Sequence, residues 1–328
     1  MHVVAAFDKL RGTATATEAV AAVARAAEAA GASCEAVPLA DGGEGTLEAL
    51  GGPNRCTTVT GPLGDPVEAE WRLSGRFAVI EMASASGLEL VGGAEHNDPM
   101  GASTHGTGEL ISAAVEAGAR RVIVGVGGSA TTDGGLGCLR AMYPLHRFRG
   151  IELMVAHDVT TLFVDAATVF GPQKGASPAQ IKLLTRRLER LAQMYEEEYG
   201  TDVREIPGSG AAGGLAGGLG AIGASLESGF DLIADELTLD EKIEKADLVV
   251  TGEGFLDEQS FHGKVVGGVA ELAGAAGVPV VAIAGQVFDG VDDRLPTVSL
   301  TERFGPEVAL TDTVEAIERA AAEVLAAY

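Results

Sequence analysis

Cysteine is scarce: 3 residues in 328 (Cys34, Cys56, Cys138), too few and too far apart for a disulfide framework or a cysteine-ligated zinc site. Cations are scarce too, 23 Lys and Arg against 47 Asp and Glu, so the formal net charge is −24. Such acidity argues against nucleic acid or an anionic membrane as a partner held by bulk attraction. No apolar run approaches the ~20 residues that span a bilayer; residues 278–284 are typical of the longest. The opening Met1-His2-Val3-Val4 has no basic stretch and no cleavage site, which reads as a cytoplasmic chain. The 6 histidines show neither His-x-x-His nor His-Glu-x-x-His spacing, which disfavours catalytic zinc. Gly-x-Ser-x-Gly, the Gly-Lys-Ser/Thr ending of a P-loop and Gly-x-Gly-x-x-Gly at the main glycine-rich turn are all missing.

What is present is an even spread of apolar residues, 46% of the chain, which excludes disorder. At roughly 150 residues per domain the length suggests two domains. At both ends, short apolar runs (3–7, 34–39, 248–251, 278–284, 297–300) alternate with Ala-rich helical stretches, so a parallel sheet covered on both faces is expected. Thr15-Ala16-Thr17-Glu18 is a capping-box pattern opening the first helix. In the middle, runs at 56–59, 67–73 and 77–82 follow one another through short Gly/Pro turns and predict antiparallel hairpins. Ser177-Pro178-Ala179-Gln180 starts the strongest helix, with Ile181, Leu184, Leu188, Leu191 and Tyr195 as its buried stripe. The reading is an α/β protein: a discontinuous flavodoxin/Rossmann-like parallel-sheet domain (1–50 and 241–328), an inserted mixed α/β domain (51–240), and an active site in the cleft between them.

Many of the 46 glycines cluster beside acidic or hydroxyl residues. Asp41-Gly42-Gly43-Glu44-Gly45-Thr46, after the second strand, offers backbone N–H groups and two carboxylates suited to Mg²⁺, or else an Asp/Gly helix cap. Residues 125–137, containing Gly127-Gly128-Ser129-Ala130-Thr131-Thr132-Asp133, are built like a phosphate cradle, because glycine permits close backbone approach and hydroxyls line the turn. Pro207-Gly208-Ser209-Gly210 leads into a small-residue helix that serves either packing or ligand contact. Thr251-Gly252-Glu253-Gly254-Phe255-Leu256-Asp257, with Lys264 beyond it, combines two carboxylates and a lysine in the manner of a metal–nucleotide site, or forms a solvated turn. Asp8-Lys9-Leu10-Arg11-Gly12 and Gln173-Lys174-Gly175 each put cations at loop positions, which suits an anionic substrate.

Taken in order, these segments resemble the bacterial glycerate kinase family from end to end. The matching stretches include Ala40-Asp41-Gly42-Gly43-Glu44-Gly45-Thr46, Ala83-Ser84-Ala85-Ser86-Gly87, Ser103-Thr104-His105-Gly106-Thr107-Gly108, Gly127 through Gly135, Phe170-Gly171-Pro172-Gln173-Lys174-Gly175 and Thr251-Gly252-Glu253-Gly254. The resemblance implies a flavodoxin-like domain with a second mixed α/β domain, and transfer of the ATP γ-phosphoryl group to D-glycerate, most often giving 2-phosphoglycerate. On that reading Asp41, Glu44, Glu253 and Asp257 would hold Mg²⁺. Gly127, Gly128, Ser129, Thr131, Asp133, Gly252, Gly254 and Lys264 would bind ATP. Arg11 and Lys174 would clamp the substrate carboxylate or the migrating phosphate, and Asp8 or Asp158 would accept the hydroxyl proton. The expected partner is a small hydroxy acid, with a homodimer left open. The chain departs from the family pattern at Arg11, where lysine is usual, at Thr161, where asparagine is usual, and between Leu139 and Ile151, where it is shortened. Those departures keep two alternatives open: a kinase for another small hydroxy acid, and a non-catalytic paralogue that binds a nucleotide or metabolite.

Overall fold

The computed structural model describes residues 1–10, 12–261, 263–288, 290–291 and 294–328. Its strands in chain order are β1 (His2–Phe7), β2 (Ser33–Pro38), β3 (Arg55–Thr60), β4 (Pro66–Ser74), β5 (Phe77–Glu81), β6 (Arg121–Gly125), β7 (Glu152–His157), β8 (Ser225–Ser228), β9 (Leu248–Leu256), β10 (Val280–Val287) and β11 (Thr297–Ser299). The chain divides into two compact units: Met1–Asp41, Glu48–Leu50 and Gly229–Tyr328 make the first, Gly42–Leu47 and Gly51–Ser228 the second. No helix among the described residues is long and apolar enough to cross a membrane.

The first unit holds a five-stranded, wholly parallel sheet in the order β2-β1-β9-β10-β11. Counted within the unit, that order is 2-1-3-4-5, the flavodoxin-like arrangement, whose strand sequence reverses between the first and third strands. Side chains alternate across β1, and each face finds its own helices. Val3, Ala5 and Phe7 pack with Val20, Val23, Ile317 and Ala321, whereas Val4 and Ala6 pack with Phe230, Ile233 and Val269. The helix Ala16–Ala29 begins at Thr15 with both capping-box bonds formed. Residues 229–240 were expected in the inserted domain, and the structure corrects this. Phe230, Ile233, Ala234 and Leu239 complete the second face of the parallel sheet, and their small-residue surroundings gave no boundary signal.

The second unit holds a six-stranded mixed sheet, β3-β4-β5-β6-β7-β8. β3, β4 and β5 form the expected antiparallel hairpins, and β5 through β8 run parallel. The helix Pro178–Tyr199 starts at a Ser177 capping box and ends at Gly200 in the left-handed region. It buries Leu184, Leu188, Leu191 and Tyr195 against a core that includes Ile80, Val124 and Phe163. The Tyr195 hydroxyl donates to the Gly134 carbonyl at 2.9 Å, so the helix also anchors the turn that follows β6.

Candidate active site

The carboxyl edge of the first unit's sheet gathers acidic groups at its topological switch point, where open α/β sheets bind ligands. Asp8 directly follows β1, and its N–H donates to the Gly252 carbonyl at 3.0 Å. The Asp8 carboxylate accepts the Lys9 N–H at 2.7 Å. β9 was expected to stop at residue 251, but it runs on to Leu256. Its pairing with β1 ends at Gly252, while pairing with β10 continues to Leu256, so Glu253 extends past the end of β1. Asp41 follows β2.

Burial and mutual repulsion tune these carboxyls. The Asp8 carboxyl is pushed up to about 7, first by burial, then by the Asp41 charge and more weakly by Glu253, with Lys9 opposing. Glu253 is likewise pushed up to about 7 by burial, with Asp257 and Asp41 adding to the shift and Ser260 and Lys264 opposing it. Glu253 Oε1 is buried without a hydrogen-bond partner. Asp257 Oδ1 accepts from the Gln259 and Ser260 N–H groups at 2.7 and 3.2 Å and so caps the turn Glu258–Phe261. Lys264 occupies the N-cap position of the helix Val265–Ala276 without a side-chain capping bond.

Gly252 was assigned to ATP, yet a Cβ there would strike the Ile283 carbonyl and the Phe7 ring, so sheet packing accounts for the glycine. Gly254 is likewise a strand residue of β9, not a loop residue. Glu44 is solvent-exposed and belongs to the second unit. Among the described residues no three His, Cys, Asp or Glu side chains are arranged to hold a metal ion by themselves, so the four Mg²⁺ candidates do not form a preassembled cage. Mg²⁺ needs no such cage, because it commonly takes one or two carboxylates and fills its octahedron with water and phosphate oxygens. The orphaned Glu253 Oε1 and the repulsion that Asp8 and Glu253 both feel from Asp41 fit a divalent cation. Arg11, the expected anion clamp, lies outside the described residues, as does His262.

In the second unit, the glycine-rich segment leaves the carboxyl end of β6. Gly127 lies against Gly43, and a Cβ on it would approach the Gly43 Cα to 2.6 Å. The turn Gly42–Leu47 is held by Glu81, whose Oε1 accepts the Gly45 and Leu47 N–H groups at 2.9 and 2.8 Å. Ser129, Thr131 and Thr132 are buried, and the Thr131 and Thr132 hydroxyls lack partners. Asp133, expected at ATP, is hydrogen-bonded within the fold. It accepts the Thr104 N–H and hydroxyl at 2.9 Å each and the Gly135 and Gly137 N–H groups at 3.1 Å each. A carboxylate so saturated organises the loop's exit and has no capacity left for a nucleotide's metal.

Lys174 is buried at 3% exposure, so it is not a surface clamp. Its Nζ donates to Ser129 Oγ at 2.7 Å and to the Thr131 carbonyl at 2.6 Å. Asp158 is exposed just past β7. Its neighbour His157 carries an unpartnered, buried Nδ1, and burial lowers its basicity. Sequence reasoning missed Glu81, Asn97 and His157. A strand-end glutamate, a turn asparagine and an isolated histidine carry no spacing signal, and the partners of Glu81 and Asn97 lie far away in sequence.

The model of the glycerate kinase family matches residues 3–143 and 144–328. The chain is 43% identical to a glycerate 2-kinase of Escherichia coli K12, over 78% of this chain and 77% of that protein. It is 39% identical to a glycerate kinase of Bacillus subtilis 168, over 88% and 85%. The crystal structure of a chain assigned as glycerate kinase 2 from Salmonella typhimurium LT2 superposes with a TM-score of 0.87 at 36% identity, covering 100% of this chain and 98% of that one. The family match breaks between residues 143 and 144, inside the stretch where the sequence is shortened.

Proposed function

The chain belongs to the glycerate kinase family, and from that premise we propose that it transfers the γ-phosphoryl group of ATP to the 2-hydroxyl of D-glycerate, giving 2-phosphoglycerate and ADP. One observation carries the reading. The family match spans both units, and the acidic cluster at the first unit's switch point has the chemistry that phosphoryl transfer requires.

Phosphoryl transfer depends mainly on positioning and charge neutralisation. Asp41 and Glu253 are the residues that would hold Mg²⁺, with Asp257 beside them. When bound, the metal neutralises charge on the transferring phosphate and orients it for in-line attack. Asp8 serves as the general base. The substrate O–H gives its proton to the Asp8 carboxylate, its oxygen bonds to the γ-phosphorus, and the bond from that phosphorus to the ADP oxygen breaks. A base with its proton affinity near neutrality suits this task, and burial with like-charge repulsion brings Asp8 there. Lys9 and Lys264 offset part of the acidity where an anionic substrate must approach. The glycine-rich segment from Gly127 to Thr131 is assigned to the ATP phosphates.

Phosphorus NMR after incubation with D-glycerate and Mg²⁺-ATP tests the proposal and reports regiochemistry as well. Expected is a 2-phosphoglycerate resonance growing in step with ADP. A different acceptor preferred in a panel of small hydroxy acids would move the assignment to that acid, and ATP binding by calorimetry without turnover on any acceptor would overturn it.

A further inference from the structure

We propose that Lys174 and Asn97 act as positioning residues for the glycine-rich loop, tying down its carbonyl and hydroxyl oxygens so that its backbone N–H groups stay available to nucleotide phosphates. The inference rests on the kinase reading above and assigns Lys174 a role through the loop instead of on the substrate.

The bonds divide unevenly between the loop's donors and acceptors. Lys174 Nζ takes the Ser129 hydroxyl and the Thr131 carbonyl, at 2.7 and 2.6 Å. One side-chain amide joins the two segments: Asn97 Nδ2 donates to the Ala130 carbonyl at 3.0 Å and to the Lys174 carbonyl at 2.9 Å. From the opposite side, the Leu88 N–H takes the Gly128 carbonyl at 2.9 Å, and the Ser86 carbonyl accepts the Ala130 N–H at 3.0 Å. Three consecutive residues, Ser129, Ala130 and Thr131, are therefore gripped through oxygen, and among the described residues only the Ala130 amide of the three is consumed. A loop fastened by its acceptors keeps donors for an anion, the requirement of a phosphate cradle. Gly128, at φ +67, supplies the turn in the left-handed region.

The buried ammonium fits this role better than that of a phosphate clamp. Two of its three donors are already committed inside the protein. Burial pushes its proton affinity down to about 7, against the pull of Asp133. A neutral amine still has two N–H groups, enough for both loop bonds, so positioning does not depend on the charge.

Lys174→Met and Asn97→Ala, with the double variant, provide the test. Each is assayed for KM of ATP, KM of D-glycerate and kcat, and for hydrogen exchange across residues 127–132 without ligand. Positioning predicts faster exchange in both single variants and a rise of roughly tenfold in the ATP KM, the consequence of losing one or two buried hydrogen bonds. The glycerate KM stays near its original value, and the double variant loses less than the sum of the two. Asn97→Ala keeps the test decisive if Lys174→Met does not fold. A Lys174→Met protein with a collapsed kcat, an unchanged ATP KM and unaltered loop exchange would overturn the proposal in favour of direct contact, as would an Asn97→Ala protein with unaltered ATP KM and exchange. If the unaltered enzyme shows no turnover, the kinase reading fails separately, and exchange together with calorimetric Mg²⁺-ATP affinity still decides the positioning claim.

Discussion

Asp8 stands under two opposing demands. As a base it must be free to take a proton, yet burial and the charges of Asp41 and Glu253 penalise its ionised form. Its folded-state value is about 7, raised from an ordinary 3.8. The folded state therefore binds the proton more tightly than the unfolded chain, and the stability this contributes is complete below pH ~4 and lost as the pH climbs through ~7. Asn removes that penalty while keeping the shape. In metal-free buffer, Asp8→Asn is expected to melt above the unaltered protein at about pH 8 and to lose that advantage at about pH 4. Its kcat falls by roughly 10²–10⁴, the usual contribution of a general base. Melting curves at the two pH values and a steady-state assay check both halves. An unchanged kcat would remove Asp8 from the chemistry, and a lower melting temperature at pH 8 would contradict the electrostatic account.

At the scale of elements, legibility followed how local the determining interactions are. The caps at Thr15 and Ser177 were readable because a capping box closes within four residues, and the hairpins β3-β4-β5 because their turns are short. That Asp8, Asp41 and Glu253 come to the carboxyl edge of one sheet was readable, since each lies at or just beyond the end of an apolar run. A carboxylate or a glycine at a strand end looks the same from sequence whether it serves a ligand or the fold, and the bonds of Asp133 and the packing of Gly252 within the fold could not be read there. Residues 211–221 show the limit most clearly. The stretch is written as a small-residue helix, yet Ala212, Gly213 and Gly214 take φ values of 51, 66 and 91° in succession. Tertiary contact sets this conformation: a Cβ on Gly213 would strike the Thr131 carbonyl and approach the Thr132 Cα to 2.7 Å. Gly213→Ala therefore combines backbone strain with a clash against the Thr131 carbonyl that Lys174 grips. It is expected to cost about 1–3 kcal/mol in denaturant unfolding and to weaken ATP binding. A variant of undiminished stability would show that the backbone there relaxes freely.

For the whole molecule, the net charge of −24 must be reconciled with a reaction between two anions. Among the described residues, the expected cations do little to reverse it: Lys174 is buried and spent on the loop, while Lys9 and Lys264 only moderate neighbouring carboxyls. Beyond about one Debye length, ~10 Å at 0.1 M salt, an approaching nucleotide meets the summed negative field. Screening should then help association, the reverse of an enzyme that steers its substrate in by attraction. At saturating Mg²⁺, raising NaCl from about 20 to about 200 mM is expected to increase kcat/KM for ATP severalfold, with kcat nearly constant because the bound state is sheltered from bulk ions. The same addition should raise the melting temperature of the ligand-free protein, since self-repulsion in the compact state is screened as well. A fall in kcat/KM with salt would mean that a local positive seat, and not the global field, governs encounter. The two measurements share one cause, so a rise in melting temperature without a rise in kcat/KM would confine the repulsion to surfaces away from the site.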